Sequence, residues 1–157
     1  MTRATRRPSR TAVNVVVLDA AWRKALPGVE RLVRKAARAA TSNRKRSLTI
    51  ALADDRRVRA LNARDRKKDK PTNVLSYPSG EHDFLGDVVL ARQTVWREAK
   101  AQGKRPADHV VHLVVHGALH LMGYDHESTA DADRMEALER RILKRLAIAD
   151  PYLIDGA

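Results

Sequence analysis

At 157 residues, 43% of them hydrophobic, the chain is long enough for one domain with a real core and short for two. No apolar run approaches the roughly 18 residues that a membrane span needs, and the absence of cysteine excludes disulfides and every thiolate metal site. Lys and Arg number 31 against 19 Asp and Glu, formally +12 with a pI near 10.7. That balance favours a polyanionic partner such as nucleic acid, with a generally basic surface as the plain alternative.

Residues 1–11 read as a basic, disordered tail ahead of a single domain over 12–157. Val13 to Leu18 is a short β-branched run that predicts a strand. It is too short, and too quickly broken by Asp19, to be the apolar core of a signal peptide, so the expected location is the cytoplasm. Pro27-Gly28 punctuate, and Val29, Leu32, Val33, Ala36 and Ala40 then recur at helical spacing. Basic residues 43–46 form a loop, and Leu48, Ile50 and Leu52 alternate as a second strand. Asp54 suits the N-cap of a short helix carrying Val58 and Leu61. From Ala63 to Thr72 the reading is a charged loop closed by Pro71.

Asn73 to Pro78 and Leu85 to Ala91 follow as strands joined by the turn at Ser79-Gly80-Glu81-His82, which argues an antiparallel hairpin. Arg92 to Ala101 should be helical, with Gly103 as the break. Pro106 opens a further helix running to about Met122. Ser128 to Asp131 fits a capping box, and Met135, Leu138, Ile142 and Leu146 share one face of a last helix ending near Ala147. The order predicts an α+β fold: a four-stranded mixed β-sheet covered by about five helices.

Four of the six histidines fall in the fifteen residues from His112 to His126. His116 and His120, four apart, stack on one helix face as two imidazoles sharing a metal require. Gly123 supplies a left-handed helix stop, and Tyr124-Asp125 continue a turn that brings His126 back. Three imidazoles with a fourth position open make a catalytic zinc site rather than a structural one. His112, about 12 Å along the axis from His120 at 1.5 Å per residue, is left to packing or support. His82 and His109 have no spacing argument and read as ordinary polar residues. The plain alternative for His116 and His120 alone is a pair of satisfied histidines.

Residues His116 to His126, HGALHLMGYDH, resemble the HGxLHLxGYDH signature of the YbeY endoribonuclease (rRNA maturation factor) family. Asp69 to Pro78 is similar to that family's DKPTDVLSFP segment, Leu85-Gly86-Asp87-Val88 to its LGD[IV] strand, and Met135 to Glu139 to its closing helix. The resemblance covers residues 13–153 in consistent order, with Tyr77 for the usual Phe and Asp65 where an aromatic often precedes the arginine. It implies one zinc per chain on His116, His120 and His126, with His116 in the catalytic set. It also implies a single-stranded RNA substrate and a role in 16S rRNA 3′-end maturation and ribosome quality control. The implied partners are the small ribosomal subunit, a small-subunit ribosomal protein and an Era-type GTPase. Arg66 matches the arginine implicated in activity.

The chemistry of these residues agrees. Neutral imidazoles leave a divalent cation's charge uncompensated, which attracts a phosphodiester. Arg66 is suited to clamp a phosphate with paired hydrogen bonds, and Lys67, Lys68 and Lys70 to hold the neighbouring backbone. A solvated charge run is the alternative for that loop. Two other functions stand beside this one. A metalloprotease of the HExxH kind is disfavoured because Gly117 occupies the position of the basic glutamate. A binding module with structural zinc would need a fourth ligand, such as Asp125 or Asp87.

Overall fold

The computed structural model describes residues 10–42, 45–66, 72–125, 127–148, 150 and 152. The elements run in the order β1 (Ala12–Val17), α1 (Ala21–Ala25), α2 (Val29–Ala40), β2 (Ser47–Ala53), α3 (Asp55–Arg66), β3 (Val74–Pro78), β4 (Phe84–Ala91), α4 (Arg92–Ala101), α5 (Pro106–Leu121) and α6 (Thr129–Arg145). One four-stranded mixed sheet has the order β1-β2-β4-β3. β1 pairs with β2 and β2 with β4 in parallel, while β3 and β4 form the expected antiparallel hairpin, Val74 opposite Leu90 and Tyr77 opposite Asp87. The α+β reading stands.

Alternation along the strands divides the core in two. Leu48, Ile50, Leu52, Val88 and Leu90 point to a large cluster with Val33 and Ala37 of α2, Val114 and Ala118 of α5, and Ile142 and Leu143 of α6. Each of the valines, leucines and isoleucines among them, fully removed from water, contributes roughly 1.5–3 kcal/mol before its lost entropy is counted. Ala51, Ala53, Val89 and Leu75 point the other way, to Val58 and Leu61 of α3. Small alanines on this second face let α3 lie close, and it covers only part of the sheet.

Two elements differ from the sequence reading. The five-residue α1 was not anticipated, being too short to show a period. It begins where the Asp19 carboxylate accepts the Ala21 amide at 3.1 Å and is pinned by Trp22, whose indole donates to the Ala53 carbonyl at 2.8 Å. The charged loop expected from Ala63 is, up to Arg66, the last turn of α3. Ala63, Arg64 and Arg66 are good helix formers, and Asp65 ties that turn to β3 by accepting the Tyr77 hydroxyl at 3.0 Å. Asp54 caps the helix by accepting the Arg57 amide at 2.9 Å.

Candidate metal centre

The site grows from α5, whose sixteen residues run from Pro106 to Leu121 under the β3–β4 half of the sheet. The packing is close because Gly117 faces the sheet. A Cβ there would lie 2.7 Å from Val88 Cγ1, and Ser76 Oγ donates to the Gly117 carbonyl at 3.3 Å. Directly C-terminal, Gly123 takes φ +101. Its amide bonds the His120 carbonyl at 3.0 Å and the Tyr124 amide bonds the Leu119 carbonyl at 3.1 Å, the paired bonds of a Schellman cap. This cap turns the Tyr124 carbonyl back over the last turn of α5.

That carbonyl has a partner. His120 Nδ1 donates to it at 2.8 Å; a carbonyl only accepts, so Nδ1 carries the hydrogen and Nε2 the lone pair. His116 Nδ1 faces Glu139 Oε1 at 2.6 Å. Glu139 comes from α6 and is fully buried. Burial alone would raise its pKa, but hydrogen bonds from His112, His116 and Tyr152 outweigh that and bring it down to about 2. It is therefore a carboxylate, and His116 Nδ1 donates as well.

The two Nε2 atoms of His116 and His120 meet at 3.1 Å, their rings 4.6 Å apart and nearly perpendicular. Two lone pairs at that distance repel unless a positive charge lies between them. A shared proton would serve, and so would a metal: two nitrogens about 2.05 Å from one tetrahedral zinc lie about 3.3 Å apart. The pair opens onto a cleft of about 560 Å³ that also touches Asn73, Ser76, Pro78 and Asp125. The donors, their spacing and their orientation fit a divalent ion of the zinc type.

A second cluster competes for the same description, since ligand atoms of His112, His116 and Glu139 lie within 4.8 Å of one another. Its carboxylate is already engaged by three donors. Oε1 accepts from His116 Nδ1, and Oε2 accepts from His112 Nε2 at 3.0 Å and from the Tyr152 hydroxyl at 2.6 Å. Buried beneath three donors, Glu139 reads as the anion that orients the histidines, the usual partner of a ligand imidazole's far nitrogen.

Of the residues singled out in sequence, His116 and His120 come together and His112 lies behind them. His126, Lys67, Lys68 and Lys70 lie outside the described residues, and Arg66 is placed only as the last residue of α3. His82 is exposed beside Asp83, whereas His109 is buried and its Nε2 meets Glu98 at 2.8 Å. Glu139 and Tyr152 were missed. The signal for Glu139 was present: it sits four after Met135 and three before Ile142, a carboxylate on the apolar stripe of α6. Asp87 lines a different cleft, with Ala51 and Val89 on the α3 side of the sheet, and is no partner to His116.

Residues 16–147 match a family model described as Endoribonuclease YbeY. A protein of that name from Azorhizobium caulinodans is 48% identical over 154 residues, 90% of this chain and 96% of its own. Another from Chelativorans is 51% identical over 131 residues, 79% and 80% of the two chains. A solution structure of a Thermotoga maritima protein shares the fold at a TM-score of 0.55 and 20% identity, covering 90% of this chain and 99% of its own.

Proposed function

The chain belongs to the Endoribonuclease YbeY family, hydrolases acting on RNA, and on that premise we propose that its cleft is a zinc-dependent site cutting single-stranded RNA. The biological role that goes with this reading is 16S rRNA 3′-end maturation and ribosome quality control in the cytoplasm, alongside a small-subunit ribosomal protein and an Era-type GTPase. The observation that carries it is the 3.1 Å approach of His116 and His120 Nε2, with both Nδ1 atoms committed to acceptors. His116, His120 and His126 would hold one zinc ion. When bound, it would supply a Lewis acid to the phosphodiester.

The rest is the work of this chain's own groups. Glu139 holds the His116 ring in one tautomer and raises its basicity, and the Tyr124 carbonyl does the same for His120. Arg66 closes the α3 turn adjoining β3; its guanidinium would clamp a nonbridging phosphate oxygen pair and stabilise charge that grows in the transition state. Lys67, Lys68 and Lys70 would hold the flanking backbone. A peptide hydrolase is disfavoured for a further reason: position 117 packs on Val88, so a glutamate there would enter the sheet rather than the cleft.

The test is single-turnover cleavage of single-stranded RNA by metal-depleted and zinc-restored protein. Activity should vanish on depletion and return with zinc. Arg66→Ala should keep its zinc and its melting temperature yet cut about 10²–10³-fold more slowly, as expected for one strong donor. Equal cleavage with and without metal would sink the zinc reading, and a wild-type rate in Arg66→Ala would move the clamp elsewhere.

A further inference from the structure

A second cleft, about 800 Å³, lies across β3 from the histidines, and Ser76 and Pro78 border both. Its floor is small and apolar, Ala51 of β2 and Val89 of β4, and one wall is Leu61 and Arg64 of α3. On its sheet wall Tyr77 and Asp87 stand directly opposite each other in the β3–β4 ladder, which puts their Cβ atoms about 5 Å apart on one face. The Tyr77 hydroxyl is held by Asp65, which fixes the ring. Asp87 is partly buried, and among the described residues its carboxylate has no hydrogen bond or ion pair.

A carboxylate that lines a cleft and is not engaged by a protein donor is available to a ligand that donates. Its neighbour Tyr77 lines the same cleft beside the apolar floor, and aromatic side chains are what unstacked bases stack on. The volume falls within the ordinary range for a small organic ligand. A carboxylate accepts two parallel hydrogen bonds, and guanine alone among the RNA bases presents two adjacent donors, N1–H and the 2-amino group, on its pairing edge. The shared border at Ser76 and Pro78 means that a strand crossing β3 could place one nucleotide here and a phosphodiester at the histidines.

Resting on the nuclease reading, we propose that this cleft is a guanine-binding subsite for the RNA strand, with Tyr77 under the base and Asp87 on its pairing edge.

The test uses the full-length, zinc-restored protein on a pool of random-sequence single-stranded RNA, with the cut ends sequenced. Guanine should be enriched at one fixed position relative to the cut. Asp87→Asn, which keeps the shape but loses the paired acceptors, should spread the cuts over all four bases. In a defined substrate, inosine at that position lacks the 2-amino group and should lower kcat/KM for the unmodified protein by about 10-fold, within the range for a lost base contact. That arm needs no variant to fold. Cleavage without guanine enrichment overturns the subsite alone, as does enrichment that survives Asp87→Asn. Failure to cut any RNA overturns the nuclease reading and the subsite with it.

Discussion

Glu139 gathers three donors onto one buried carboxylate, and the orientation of His116 depends on it. Glu139→Gln preserves the volume but replaces an anionic acceptor by an amide that can satisfy fewer of the three. His116 would lose both its fixed tautomer and some basicity. Losses of this kind weaken metal binding roughly 10–100-fold, so a competition titration against a chelator should show zinc affinity reduced by that factor in a folded protein. Unchanged affinity would mean that Glu139 serves only packing. The histidines themselves were legible because two imidazoles four apart followed by a glycine turn encode a geometry. Glu139 and Tyr152 were not, because their role arises from a contact between α5 and residues more than twenty positions away. Only the oddity of a carboxylate on the stripe of Met135 and Ile142 hinted at it.

α5 carries the site, and its distance from the sheet is set by Gly117. Gly117→Ala gains helix propensity, about 1 kcal/mol, but drives a methyl to 2.7 Å from Val88 Cγ1. Val88 is β-branched, buried and stiff, so it cannot turn away. Overpacking of this sort costs about 1–3 kcal/mol. The net should be a loss on the order of 1 kcal/mol in urea denaturation; in the background of Val88→Ala, which carries its own cavity cost, adding Gly117→Ala should cost little or nothing. A stabilised single variant would contradict this packing. The main helices and all four strands were readable from period, caps and prolines, including the Ser128 cap, whose hydroxyl accepts the Asp131 amide at 3.0 Å. The end of α3 was misread because charge density from Ala63 onward suggested a loop. Local helix propensity and the Tyr77–Asp65 bond outweighed that signal.

The order of strands in the sheet could not be read from the chain, since β2 joins β1 to β4 through parallel pairings that no local pattern encodes. Charge was legible but its use was not. With +12 formal charges, binding to single-stranded RNA should weaken steeply with salt, log affinity falling about 0.7 per phosphate contact for each unit of log salt. A flat salt titration would reject a phosphate-dominated interface. Two sets of side chains compete for the metal, because the cluster of His112, His116 and Glu139 rivals His116, His120 and His126. Zinc content of purified His112→Ala, His120→Ala and His126→Ala, measured by elemental analysis, separates the two. His112→Ala should retain close to one zinc per chain while His120→Ala and His126→Ala lose it; loss in His112→Ala, with zinc kept in the other two, would contradict the assignment.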